Sequence, residues 1–177
     1  MNVMEMAQLL GNFGEFVGAI AVVATLIYLT TQIRQNTSAL QSAAAQAVHD
    51  NFAAWYSSAQ SDPSLLSVST KGLRDYSGLS ATERAQFIAQ FMAFCSHHQD
   101  AFYKWQEGSL SPELWRGWEY VSMQLFLSPG GKDFWDERYF MFADAFQTYV
   151  VDDIMKREPH PAAKPWGAFD LSAPDKS

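Results

Sequence analysis

The sequence is poor in cysteine and, at its N-terminal end, in positive charge. Cys95 is the only cysteine among 177 residues, so the chain cannot form an internal disulfide. A lone thiol is typical of proteins in a reducing compartment. No lysine or arginine precedes Arg34, whereas a secretory signal peptide begins with a basic region and ends in a cleavage site. We therefore expect the N-terminal segment to remain part of the mature chain.

Basic residues are outnumbered along the whole chain, with 12 Lys and Arg against 19 Asp and Glu and a net charge of −7. Such a chain is repelled by phosphate backbones and by anionic headgroups, so we expect no nucleic-acid partner. The sequence also lacks the Glu-x-x-His pairs that build metal sites in helical bundles, and it has no glycine-rich phosphate loop. We predict no metal, no cofactor and no catalytic residue.

Charge is missing altogether from Phe16 to Ile33, an 18-residue run that reads FVGAIAVVATLIYLTTQI. Counted from Phe13, a helix over this run is about 31 Å long, which matches a hydrocarbon core of roughly 30 Å. Its large apolar residues together favour insertion by about 3–5 kcal/mol, which its polar residues partly offset. We predict a single transmembrane helix that contacts the lipid bilayer through residues 16–33. The alternative is the central buried helix of a soluble bundle.

The flanks of this run predict its orientation, and one of its faces predicts a contact. Arg34 follows the run, and the charged residues that precede the run are all acidic. The positive-inside rule therefore places the C-terminal domain in the cytoplasm. Small residues line up on one face, and two of them form a GxxxG, the spacing at which membrane helices pack closely. The face consists of Gly14, Gly18, Ala21 and Thr25. It predicts a homo-oligomer or a membrane-protein partner, although small residues are common in membrane helices generally.

The rest of the chain predicts an all-α domain. Apolar residues recur with helical spacing and never alternate with period two, so no sheet is expected. Pro63, Gly108 and the Ser128–Gly131 segment divide it into an antiparallel bundle of about four to five helices. We predict three regions: the N-terminal segment and transmembrane helix at 1–34, the helical bundle at 35–157, and a proline-rich extended tail at 158–177.

Local signals predict the helix ends. Residues 36–38, Asn-Thr-Ser, either cap a new helix or lie inside a continuous one. Ser80 and Glu83 form a capping box that starts a long helix, which closes at Gly108. A helix starts at Ser111-Pro112, with Leu114 facing inward. Residues 128–131 are interpreted as a break. One helix is expected from about residue 132, with Met141 facing inward, and a last helix over 144–156.

Three segments of the chain resemble a group of uncharacterised bacterial proteins: LIYLTTQIRQNT, FYKWQEGSLSPELWRGW and LSPGGKDFWDER. Those proteins have one N-terminal membrane helix followed by a small helical domain, and the likeness covers most of residues 16–155. The resemblance implies a protein of the bacterial inner membrane with the same architecture. It implies no activity, substrate or catalytic residue.

Five residues of the domain are candidates for a pocket or for a buried polar role. His98 lies in the middle of an aromatic stripe, within a turn of Phe94 and Phe102, with Cys95 beside it. Asn51 has the corresponding place on the helix expected over the alanine-rich residues 39–60. A buried imidazole needs a partner, so one hypothesis is a hydrogen bond from Asn51 to His98; a pocket and a metal ligand are the alternatives. Arg138 is expected to stack on a ring and to pair with a carboxylate, for which Glu119 is the candidate; an anion site is the alternative.

These features predict a membrane-anchored helical interaction or accessory module without evident catalysis. The alternative function is small-molecule sensing or catalysis in a pocket near Asn51 and His98. Cys95 is expected to be unreactive, because apolar surroundings raise the pKa of a thiol.

Overall fold

The computed structural model describes residues 2–158, and these residues form helices without a strand. In chain order the elements are α1 (Val3–Ser61), α2 (Pro63–Arg74), α3 (Ala81–Gln106), α4 (Pro112–Phe126), α5 (Pro129–Arg138), a 3-10 turn (Tyr139–Met141), α6 (Asp144–Tyr149) and a π-helical turn (Val150–Ile154). The predicted all-α class is confirmed. The predicted proline-rich tail lies, from residue 159 on, outside the described residues.

Helix α1 runs without interruption for 59 residues. Residues 36–38 lie inside it, so of the two alternatives for this segment the continuous helix is the one observed. No glycine or proline occurs between residues 19 and 61, and Pro63 then starts α2 with Asp62 as its N-cap. The chain divides into two compact units, residues 1–42 (unit 1) and residues 43–177 (unit 2).

Unit 1 exposes its apolar side chains instead of burying them. Phe16, Ile20, Val23 and Ile27 are between 53% and 64% exposed. By length and composition this helix is able to cross a membrane. The central helix of a soluble bundle would instead have most of these side chains covered.

The threonines of the apolar run satisfy their own hydroxyl groups. Thr25, Thr30 and Thr31 each donate a hydrogen bond to the carbonyl oxygen four residues earlier, over 2.8–3.0 Å. A hydroxyl group that is bonded within the helix costs less to place in hydrocarbon than a free one. The polar residues therefore offset less of the insertion energy of residues 16–33 than their number indicates.

Unit 2 is built on a core of aromatic rings. Helix α3 supplies four of them at helical spacing, and α4, α5 and α6 close around this stripe. The phenylalanine and tryptophan rings that are at most 3% exposed are those of Phe87, Phe91, Phe94, Phe102, Trp115, Phe126, Phe134, Trp135 and Phe146. The rings meet mainly at tilted or edge-to-face angles, as aromatic quadrupoles prefer; Phe91 and Phe126, for example, are 5.8 Å apart at 81°.

Serine side chains start three of the helices. Ser80 and Glu83 form the predicted capping box of α3, and Ser111 caps α4. At its other end, α3 closes on Gly108, whose φ of +75° favours glycine. The next N–H group bonds back to the carbonyl oxygen of Lys104 over 2.9 Å, which completes a Schellman motif.

The chain does break between α4 and α5, but the break covers residues 127 and 128 and not the predicted 128–131. Ser128 accepts a hydrogen bond from the backbone N–H of Gly131 over 3.0 Å and caps α5, with Pro129 in the first turn. The helix therefore begins three residues before the expected position near 132. Gly130 and Gly131 belong to its first turn, and tertiary packing explains why glycine stands there.

Helices α2 and α5 touch through their backbones. A Cβ atom built on Gly130 would overlap the carbonyl oxygen of Gly72, and a Cβ atom on Gly72 would overlap the ring of Phe87. Both glycines are buried. Gly130 therefore allows α5 to approach the backbone of α2 closely, and Gly72 allows α2 to approach the Phe87 ring of α3.

Two expected inward positions face solvent instead. Leu114 is 48% exposed, and the larger Trp115 takes the inward place one position later, a rotation of about 100° around α4. Met141 is 58% exposed because it lies in the 3-10 turn and not on a continued α5. The expected last helix is an α-helix only to Tyr149, and the π-helical turn that follows brings Val150 and Ile154 into the core.

Candidate functional site

His98 lies at the centre of the aromatic core and is 3% exposed. Its position on α3, one turn after Phe94, follows from the i to i+4 spacing of the aromatic stripe. The imidazole stacks parallel to Phe94 on one side, at 5.8 Å and 7°, and to Trp115, at 5.1 Å and 13°. Phe146 meets it edge-on at 5.6 Å. Aromatic rings therefore occupy the surroundings in which a substrate would have to bind.

The imidazole has no hydrogen-bond partner at Nε2 within the described part of the chain, and the indole N–H of Trp115 is also buried without one. The hypothesised hydrogen bond from Asn51 does not occur. Asn51 is only partly buried, and the neighbouring Phe52 points into the core, where its ring lies 3.9 Å from that of Trp118. These two buried polar nitrogens thus stay unsatisfied, which costs free energy because buried polar groups in proteins are normally paired.

Burial lowers the pKa of His98 to about 3, because a charged imidazole is poorly solvated among aromatic rings. The side chain is therefore neutral at pH 7. A general base or proton shuttle works best with a pKa near the working pH, so this environment does not suit proton transfer near neutrality. Within residues 2–158, no group of three His, Cys, Asp or Glu side chains is placed to hold a metal ion.

Cys95 is fully buried beside the same rings. Burial raises the pKa of its thiol well above the ordinary value, in the direction that the sequence analysis expected. A buried, protonated thiol is a poor nucleophile and a poor metal ligand. Cys95 contributes packing to the core.

Arg138 stacks on a ring as expected, but its carboxylate partner is not Glu119. The guanidinium lies over the ring of Phe134, 5.8 Å from its centroid, and pairs with the neighbouring Glu137. The same carboxylate accepts a hydrogen bond from the hydroxyl of Tyr76 over 2.8 Å. That hydrogen bond and Arg138 together hold the pKa of Glu137 below its usual range. This cluster joins the loop after α2 to the end of α5.

Glu119 instead binds the C-terminal end of the described chain. Both of its carboxylate oxygens accept hydrogen bonds from the guanidinium of Arg157, at 3.1 and 3.2 Å, and one also accepts from the hydroxyl of Tyr149 at 3.4 Å. A two-point arginine–carboxylate pair is geometrically specific. The hydrogen bond to Glu119 raises the pKa of Arg157. The pair fastens the segment after the π-helical turn to α4.

A cavity of about 220 Å³ lies elsewhere in unit 2, between the end of α1 and helices α2, α3 and α4. None of the five candidate residues lines it. Its lining includes the polar side chains of Tyr56, Ser69, Thr70 and Gln90, none of which the sequence analysis singled out. The available signal was weak: Gln90 lies next to Phe91 on the buried side of α3, where a glutamine is unusual.

No protein-family model, curated protein or solved structure matches the chain. The resemblance to bacterial membrane proteins therefore stays a prediction, and the geometry of this chain alone carries the functional argument.

Proposed function

We propose that the chain is a membrane-anchored helical accessory module of a bacterial inner membrane. Residues 16–33 cross the bilayer once, and the helical domain is held at the cytoplasmic surface, where it contacts another protein.

The membrane anchor is supported by the exposure of the charge-free run in α1. A helix with no charged side chain from Phe16 to Ile33, and with its apolar residues uncovered, is unfavourable in water. A bilayer removes this cost, and the length of the run matches the hydrocarbon core. The internally bonded threonine hydroxyls favour the same solvent.

Val23→Arg is expected to detach the chain from the membrane. An arginine at the centre of a span costs about 2.5–3.5 kcal/mol, which is comparable to the whole estimated insertion energy of about 3–5 kcal/mol. The ratio of membrane-bound to soluble chain after expression in a bacterial host and a carbonate wash should therefore fall about tenfold or more. Immunoblots of the membrane and soluble fractions measure it.

Ser38→Arg is the matched control, because it adds the same charge to an exposed position of the same helix outside the run. It should remain bound like the wild type. A wild-type chain recovered in the soluble fraction without detergent contradicts the anchor.

Orientation is tested in the same cells. Protease added to spheroplasts should spare the domain, and protease added to inverted vesicles should digest it. The opposite pattern contradicts the cytoplasmic placement, which Arg34 supports.

The contact with another protein is supported by the small-residue face of α1. Cβ atoms built on Gly14 and Gly18 meet nothing within 4 Å, so the backbone is open to a neighbouring helix on this side. A second copy of the chain is the simplest partner, since a GxxxG face is complementary to itself.

Gly18→Ile is expected to weaken self-association. The larger side chain separates two backbones that otherwise pack closely, and the dimer dissociation constant should rise about tenfold. Sedimentation equilibrium of the full-length chain in mild detergent measures this constant. Ala24→Ile, which lies on another face of the helix, should leave it unchanged. A wild-type chain that stays monomeric at every protein-to-detergent ratio contradicts the self-contact.

A further inference from the structure

The cavity in unit 2 has an apolar wall that reaches the surface of the domain. Its lining includes Leu66, Leu73, Phe87 and Phe91, and no charged side chain of residues 2–158 contributes to it. Leu66 is also 42% exposed, so the lining continues to the outer side of α2. An apolar wall that is open to water is stabilised when another apolar group covers it.

Most polar groups of the lining are already hydrogen-bonded within the domain. The hydroxyl of Ser69 donates to the amide oxygen of Gln90, and the indole N–H of Trp55 donates to the backbone carbonyl oxygen of Gln90 over 3.0 Å. Thr70 donates to a backbone carbonyl oxygen one turn earlier on α2, over 2.9 Å. The lining also includes Tyr56, whose hydroxyl is able both to donate and to accept. The wall therefore suits an occupant that is uncharged and mostly apolar.

The volume of about 220 Å³ sets the size of the occupant. An apolar cavity of about 150 Å³ in another protein accommodates benzene. An indole is a benzene ring with a fused five-membered ring, so it is the next larger ring system for the space here. A tryptophan side chain therefore matches the cavity in size and in its apolar character.

The chain itself carries such a side chain shortly after the described residues. Trp166 stands between Pro165 and Gly167, and it is the one tryptophan of six that lies outside residues 2–158. It also lies beyond the helical bundle predicted at 35–157. A tryptophan that stays in water forgoes the stabilisation that burial of its ring gives.

The described chain ends close enough to the cavity for Trp166 to reach it. Arg157 is fastened to Glu119 on α4, and Leu125 of the same helix lines the cavity. These two positions of α4 are about 9 Å apart along the helix axis, and crossing the helix adds at most about 10–12 Å. The residues from 159 to 166 span up to about 26 Å when they are extended.

We propose that the C-terminal segment returns to the domain and places the indole of Trp166 in this cavity. A short linker holds the indole at an effective concentration in the millimolar range, which favours it over a free apolar molecule. The contact lies within unit 2 and is separate from the aromatic cluster around His98. It goes beyond the proposed function and does not depend on the membrane anchor.

Fluorine NMR of the full-length chain in lipid nanodiscs tests the docking. All tryptophans are replaced by 5-fluorotryptophan, and the resonance that disappears in Trp166→Phe belongs to Trp166. A water-soluble gadolinium complex broadens the resonances of exposed rings. We expect the Trp166 resonance to be broadened much less in the chain than in a synthetic peptide of residues 159–171, because the docked ring is covered.

Leu66→Asp identifies the cavity as the place of docking. A carboxylate at the mouth of the cavity loses hydration when the ring enters, so the ratio of docked to free chain should fall about tenfold, and the broadening should rise accordingly. Ser67→Asp is the matched control. It adds the same charge to the next residue of α2, which is exposed and outside the lining, and it should leave the broadening unchanged.

A Trp166 resonance that is broadened in the wild-type chain as strongly as in the peptide overturns the proposal. Protection that Leu66→Asp leaves intact also overturns it, since the ring is then covered elsewhere. Protection that is lost in nanodiscs holding one chain each assigns the cavity to the segment of a second copy. An exposed Trp166, together with a Trp55 resonance that toluene shifts, assigns the cavity to a small apolar ligand. Both of these results overturn docking within the chain.

The outcome for the membrane anchor is independent of this test. If the wild-type chain is soluble without detergent, the same spectra are recorded in buffer with the same expectations. Failure of the anchor and failure of the docking are therefore distinguishable.

Discussion

Gly130→Ala is expected to lower the free energy of unfolding of the helical domain by about 3 kcal/mol, the upper end of what overpacking usually costs. The reason is the backbone contact between α2 and α5. The added methyl group would overlap the carbonyl oxygen of Gly72, and a carbonyl oxygen in a helix cannot rotate away as a flexible side chain can. The two helices must therefore separate, which also loosens the packing of Phe87 behind Gly72.

Gly117→Ala is the matched control for this variant. Gly117 also lies in the interior of a helix, but it is exposed, and a Cβ atom built on it meets nothing within 4 Å. Alanine there should raise the free energy of unfolding by about 0.5–1 kcal/mol, because it restricts the unfolded chain and favours the helix. Urea denaturation of the full-length chain in mild detergent, followed by tryptophan fluorescence, measures both. Similar effects of the two substitutions would contradict the close backbone contact.

His98→Phe is expected to stabilise the domain at pH 7 by about 1 kcal/mol and to remove much of its sensitivity to acid. Phenylalanine keeps the stack between Phe94 and Trp115 and eliminates an unpaired buried nitrogen. The larger effect comes with pH. The imidazole titrates near 6.5 in the unfolded chain and near 3 in the folded one, so between these values the unfolded chain binds the extra proton.

The sign of this linkage is that stability falls as the pH falls from about 6.5 toward 3. Each pH unit in that window lowers the free energy of unfolding by about 1.4 kcal/mol. Between pH 6.5 and pH 4.5 the wild type should thus lose about 2 kcal/mol more than His98→Phe does, because the unfolded imidazole is already half protonated at pH 6.5. Carboxylates with lowered pKa values, such as Glu83 with a pKa of about 2, also cost stability as the pH falls. This loss is the same in both proteins, so the comparison isolates the contribution of His98.

Urea unfolding midpoints at pH 6.5, 5.5 and 4.5 measure the difference. His49→Phe is the control, because His49 is exposed and its replacement should leave the pH dependence as it is in the wild type. Parallel curves for the wild type and His98→Phe would mean that the imidazole is hydrated or paired in solution. That result would restore a polar role for this residue.

Local signals were sufficient for much of the fold. The capping box at Ser80 and the glycine closure at Gly108 act within one turn of the chain, so they can be recognised without the neighbouring helices. The start of α5 was missed for the opposite reason. Gly130 looked like a helix breaker because the feature that requires glycine there, the carbonyl of Gly72, lies far away in sequence.

The candidate site shows the same division. The burial of His98 followed from its place in an aromatic stripe, which is a property of one helix. Its lack of a partner did not follow, because the choice between Asn51 and Phe52 as the inward residue depends on how α1 is rotated in the fold. The pairing of Glu119 with Arg157 instead of Arg138, and the cavity beside Gln90, likewise arise only when separate helices are brought together.

The aromatic core of unit 2 has a consequence for the entropy of folding. Phenylalanine and tryptophan each bury a large area while freezing only two side-chain torsions, whereas methionine or lysine freeze more torsions for a similar area. A core of nine covered rings therefore loses little side-chain freedom for the surface it removes from water. Rigid rings also adapt poorly to a change in their neighbours. A core made of such rings therefore tolerates few changes in the helix backbones that hold the rings in place.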